Sequence, residues 1–316
     1  MNGSPPREIS VVEPIGPAIE RVTTILFRPF DLGKWFVIGF CAWLAQLGDG
    51  GSGGGGGGGN PQHKVGRGEI RRQLVDAKDF VVHNLDWIVP VAIAAAVVIL
   101  GLWLLLLWLS SRGRFMFLHC VAQNKAEVRN PWHRFRGHAS SLFAFRAVVA
   151  LITLGAAVVP FVVGGIVVGV STATLGLNPL TILGLVAAVM YFVAVLIVSA
   201  VIAKFTKDFV VPIMYLHAIH TTEAWRVFLD LLSVNKARFV LYILVQIVIA
   251  VAIGTALFMA ACCTCCCAAC LFILPYIGTV VLLPVHVFSR SYSLYYLAQY
   301  GPQLDVFAPS PGETCS

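Results

Sequence analysis

The chain has 316 residues, of which 58% are hydrophobic and 12% charged, with a mean hydropathy of +0.85 and a net charge of +7. Soluble domains carry about twice that share of charge, so an ordinary soluble fold is excluded. The basic excess lies between apolar runs, which points to orientation in a membrane and away from nucleic-acid binding.

Residues 1–16 are polar and proline-rich and read as a disordered tail, without the layout of a cleavable secretory signal. Glu20 to Phe30 reads as a short amphipathic helix. A first span is expected at about 32–48: Trp35 to Gly48 is uncharged but short, and a snorkelling Lys34 would let Leu32 and Gly33 extend it. A glycine-rich loop at 49–66 follows, including Gly53 to Gly59. No strand precedes it and no Gly-Lys-Ser/Thr follows, so it reads as a flexible linker and not a phosphate cradle. Helical character resumes at 68–86 and leads into a second span at 87–109.

Two basic, tryptophan-bearing elbows then alternate with charge-free stretches. The first elbow is Ser110 to Arg146 and the second Lys204 to Arg238; neither 147–203 nor 239–289 contains Asp, Glu, Lys or Arg. A bilayer core needs roughly 20 apolar residues per helix, so each stretch accommodates two spans. These are placed at 147–170 and 180–203, then 239–261 and 271–289, with a disordered tail at 301–316. The expected fold is all-α: a polytopic transmembrane helical bundle of about six spans in a single domain, 17–300, with amphipathic interfacial helices. Both termini and both elbows are expected on the cytoplasmic face of a bacterial inner membrane, because that puts 17 basic residues inside and 5 outside.

At an offset of 93, Trp132 falls on Trp225, Phe135 on Phe228 and Arg114 on Lys207, which suggests an internal duplication of span, elbow and span. Leu118-His119 and Leu216-His217 add a looser match. Trp225, Phe228, Leu229 and Leu232 form one apolar helical stripe, with Glu223, Arg226 and Asp230 on the other face, as on a helix lying along a membrane surface.

Ala224-Trp225-Arg226-Val227-Phe228, the Asn235 to Tyr242 run, Leu274-Pro275-Tyr276-Ile277-Gly278-Thr279-Val280 and Phe288-Ser289-Arg290-Ser291-Tyr292-Ser293-Leu294 carry a resemblance to an uncharacterised bacterial polytopic membrane-protein family. That family is distantly similar to the membrane domain attached to some glycerophosphodiester phosphodiesterases. The resemblance covers most of the hydrophobic chain. It implies architecture alone: the soluble phosphodiesterase domain is absent, so no catalytic residue carries over.

Cys262, Cys263, Cys265, Cys266, Cys267 and Cys270 interleave with alanines, which favours close helix packing. A disulfide, or a soft metal on the shared thiol face, remains the alternative. His217, His220 and Glu223 recur at three-residue spacing without the zincin pattern and read, like His133 and His138, as interfacial polar groups. Gln246 and His286 are the main strongly polar side chains inside spans, and no carboxylate sits in a span core, which counts against proton- or sodium-coupled transport. Pro160 and Pro275, with Gly164, Gly165 and Gly278, read as kinks and close contacts, as do the pairs Gly165/Gly169 and Ala250/Gly254. Asp208, Glu223 and Asp230 read as a solvated face, and Tyr292, Tyr295, Tyr296 and Tyr300 as an aromatic anchor. The seven basic residues of the first elbow, against Glu127, would draw anionic headgroups.

No catalytic, metal or cofactor site is expected. The leading expectation is a non-enzymatic membrane-organising or partner-binding protein, with a homo-oligomer among the options. A small-solute transporter or channel is the alternative, and a lipid-modifying enzyme a third.

Overall fold

Long apolar runs become long helices. The computed structural model describes residues 9–47, 85–174, 179–263 and 275–308. In chain order the helices are α1 (Ile15–Leu26), α2 (Leu32–Gln46), α3 (Leu85–Gln123), α4 (Arg129–Arg134), α5 (Arg136–Thr174) and α6 (Pro179–Phe205). A π-turn at Thr206–Val210 joins α6 to α7 (Val211–His217), then come α8 (Thr221–Val234), α9 (Lys236–Cys263), α10 (Pro275–Val281) and α11 (Leu283–Ala298). A short 3-10 turn, Pro302–Leu304, closes the series, and no strand occurs among the described residues. The glycine-rich loop and Cys265, Cys266, Cys267 and Cys270 lie outside the described residues.

Among the described residues, four segments are long and apolar enough to cross a membrane: Asp86–Gln123, Arg136–Pro160, Ile182–His217 and Lys236–Ala260. At most 11% of the most apolar window of each is buried within the chain, so their sides are left for lipid or for other helices. The sequence-expected count of about six differs at two places. α2 has 15 residues, about 22 Å at 1.5 Å per residue. The stretch expected at 271–289 contains α10 and the start of α11, which part at Leu282. α2 and α10 pack together, with Phe36, Phe40 and Trp43 around the Tyr276 ring.

The buried core collects elsewhere, in the C-terminal third of α3, the π-turn with α7, and α1, α2, α8 and α11. The elbows, together with α1, α2 and α11, therefore form the body of the molecule. The long helices do not end where charge begins: α3 runs through Arg112 and Arg114, and both are buried. Arg112 lies 4.2 Å from the Trp108 ring and 4.7 Å from the Trp132 ring, a geometry in which π-faces replace water around the cation. α3 and α7 are each followed by a residue in left-handed conformation, Asn124 (φ 54) and Ala218 (φ 53), which turns the chain back into the core.

Each half of the core holds a stacked phenylalanine pair: Phe115 with Phe135 at 5.8 Å, and Phe209 with Phe228 at 5.3 Å. Of the α8 stripe, Phe228 is fully buried and Trp225 and Leu232 are half-buried, whereas Leu229 is exposed. The tyrosines after Arg290 do not form a surface anchor. Tyr292 and Tyr296 are fully buried, both packed on Tyr242, because α11 crosses the core.

The packed body also extends past the tail boundaries expected from composition. Val11, Leu304 and Val306 are buried. Ser10 N–H donates to Gln299 Oε1 at 2.8 Å, and Gln299 Nε2 donates to Ser10 O at 2.9 Å. Tyr292 Oη donates to Val11 O at 2.8 Å.

Candidate site at the α6–α9–α11 junction

Lys204 and Asp208 are four residues apart where α6 passes into the π-turn, and Tyr242 and Gln246 are four apart on α9. Each pair therefore projects from one side of its own helix. The two pairs close a ring. Lys204 Nζ lies 3.0 Å from Asp208 Oδ2, Tyr242 Oη donates to the same oxygen at 3.1 Å, Gln246 Nε2 donates to Tyr242 Oη at 3.1 Å, and Lys204 Nζ donates to Gln246 Oε1 at 3.3 Å. The extra residue of the π-turn widens the helix here, and Asp208 is only 4% exposed. Asp208 is thus a buried, bonded carboxylate and not part of the solvated face expected for it; Glu223 and Asp230 do lie on the exposed face of α8.

Arg290 brings a second cation to the junction. It is 5% exposed and its Nη1 donates to Lys207 O. Burial, with Arg114 adding repulsion, lowers its pKa to about 10 against the favourable pull of Asp208, so it stays protonated at neutral pH.

Two adjoining cavities meet at this junction. One, of about 270 Å³, lies between α9 and α11 and is lined mainly by aliphatic side chains, with Gln246, His286 and Ser289 as its polar members. The other, of about 40 Å³, is lined by Gln46, Lys207, Asp208 and Arg290 among others, and shares His286 and Ser289 with the first. That smaller volume is close to the share of one water molecule. The structure therefore gathers Gln246 and His286, singled out separately as polar groups within spans, at one place.

Other sequence candidates stay apart. Among the described residues no three His, Cys, Asp or Glu side chains form a metal-sized group, so His217, His220 and Glu223 do not converge. Cys262 and Cys263 are exposed free thiols. Pro160 lies within α5, which is helical on both sides of it, and Gly164 on the same helix comes within 4.0 Å of Ala188 Cβ on α6 by its Cβ position. Sequence reasoning missed Cys41 and Cys120, whose buried Sγ atoms lie 4.0 Å apart between α2 and α3. It also missed the ring, although the two i, i+4 polar pairs 204/208 and 242/246 were its available signal.

The basic elbows divide into two sets. Arg112, Arg114 and Arg146 are engaged inside; Arg146 Nη1 donates to Ser110 Oγ and Ser111 Oγ, both at 3.2 Å. Lys125, Arg129, Arg134, Arg136, Arg226, Lys236 and Arg238 are exposed.

The family model described as "Family of unknown function (DUF7544)" matches residues 9–280 and shows no link to glycerophosphodiester phosphodiesterases. No curated protein and no solved structure matches the chain.

Proposed function

The chain belongs to DUF7544, a family of unknown function, and on that premise we propose that it is a non-enzymatic integral membrane protein that organises its surroundings or binds a partner within the bilayer. One observation carries this reading. Four membrane-length helices leave a core-forming body with almost none of their apolar surface covered by the chain itself. A second copy or another helical protein would pack against such sides. The ring at the α6–α9 junction supports the same reading, because its polar groups are bonded to one another, the polar chamber beside it has the volume of about one water, and the larger cavity that Gln246 also lines has mainly aliphatic walls.

The exposed elbow cations from Lys125 to Arg136 and on Arg226, Lys236 and Arg238 are the contacts for anionic headgroups, at about 1 kcal/mol each near a charged surface. The body lies on the cytoplasmic face of a bacterial inner membrane, and α2 together with 271–289, which holds α10 and the start of α11, completes six crossings. Both assignments rest on charge placement and on the packing of α2 against α10. The duplication belongs to the same proposal. Its support is the pair of stacked phenylalanines in each half, the left-handed residues at 124 and 218, and Trp132 and Trp225 each three residues before the second phenylalanine of its pair.

The test is reconstitution into vesicles with and without phosphatidylglycerol, following self-association by energy transfer and leakage by dye and ion flux. Self-association that weakens when Arg129, Arg134 and Arg136 become alanine, with no flux above protein-free vesicles, supports the organising role. Saturable solute flux overturns it in favour of a transporter.

A further inference from the structure

The groove between α9 and α11 has two chemically different ends. Ile249, Ile253 and Leu257 face it from α9, and Leu282 and Val285 from the other wall. Ala250 and Gly254 open it further, and a Cβ placed on Gly254 meets nothing within 4 Å. At its polar end His286 and Ser289 lead to the chamber of Gln46, Lys207, Asp208 and Arg290.

Polar atoms at that end lack partners. His286 Nε2, Gln46 Oε1 and Arg290 Nε are buried and unbonded. Native interiors leave few such groups, and each calls for an explanation. Asp208 is already held by Lys204 and Tyr242, and Arg290 adds a further, buried cation beside it. An anion would satisfy the open Arg290 and His286 positions, and the aliphatic walls require that the anion carry an alkyl chain.

We propose that this groove binds one acyl chain of an anionic amphiphile, with its carboxylate or phosphate head at the His286–Ser289 end beside Arg290. A hydrated polar solute would leave the aliphatic walls unmatched. A partner helix, about 10 Å wide, does not enter a groove of about 270 Å³. Free fatty acid and phospholipid share the required chemistry, a negative head on an alkyl chain. The inference rests on the membrane placement of α9 and is independent of the organising role.

The test is native mass spectrometry of the full chain in detergent with oleate, phosphatidylglycerol or phosphatidylcholine added, together with identification of any lipid that survives purification. The expected result is one retained anionic molecule per chain, held about tenfold more tightly than phosphatidylcholine. Gly254→Leu fills the groove away from the core and is expected to abolish retention at an unchanged melting temperature. Arg290→Gln is expected to remove the preference for an anionic head. Retention of oleate alone assigns the site to a free carboxylate, and retention of phosphatidylglycerol to a phospholipid; either upholds the site. Equal retention of phosphatidylcholine, or undiminished retention in Gly254→Leu, overturns it. Solute flux in the vesicle experiment would reject the organising role and leave this result unaffected.

Discussion

Replacing Asp208 by alanine removes the acceptor that Lys204 and Tyr242 share, and leaves the buried Tyr242 hydroxyl without its acceptor. A buried donor left unpaired costs about 1–3 kcal/mol, so Asp208→Ala is expected to lower the melting temperature in detergent. Tyr242→Phe leaves Gln246 Nε2 without its acceptor and is expected to cost about 1–2 kcal/mol. Lys204 keeps 36% of its side chain exposed, so Lys204→Ala should cost less than about 1 kcal/mol. An equal loss in all three variants would refute the ring as described. Tyr292 gives a pH signature at the same scale. Burial pushes its phenol up to about 12, whereas an unfolded tyrosine ionises near about 10. The folded pKa is the higher one, so this stabilisation is fully present below about pH 10 and is lost as pH rises through about 12. Melting temperatures measured from pH 8 upward should hold, then fall, and Tyr292→Phe should flatten that fall.

At the scale of elements, close approach of backbones sets what α2 and α3 tolerate. A Cβ on Gly113 would stand 2.5 Å from Ala45 N and 2.6 Å from Leu44 C, and backbone atoms of a packed helix cannot step aside. Gly113→Ala is therefore expected to destabilise by about 1–3 kcal/mol in thermal unfolding. Ala218, at φ 53, sits in a conformation that costs a non-glycine residue about 1 kcal/mol, so Ala218→Gly should raise stability by a similar amount. The centres of the four long helices were legible because a missing charge over 87–109, 147–203 and 239–289 has no soluble explanation. Their ends were not. Charge at Arg112 and Arg114 marks where the apolar run stops, while the helix continues to Gln123, since ring faces and core packing stand in for water there. Asp208 and Tyr296 were misplaced for a related reason: their burial depends on partners on other helices, and local periodicity carries no record of those.

At the scale of the whole molecule, the core ties both elbows to both ends of the described chain. Arg21 of α1 donates to the carbonyls of Val121 and Ala122 at the end of α3, at 3.0 and 2.7 Å, and Ser141 Oγ of α5 bonds Thr221 at the start of α8. Reporters inserted after Asn124 and after Thr222 are therefore expected on the same side of the membrane. Opposite signals would be incompatible with this packing. The pairing of Ser10 with Gln299 also sets an order of events during synthesis. α1 is made early, and α11, which packs along it, is made late. At about 5–20 residues per second, the α1 face of Ala18, Val22 and Ile25 waits many seconds without its cover while the long helices emerge. The late helix acts as a latch: a chain halted before Leu283 has made all four long helices and still has no closed core.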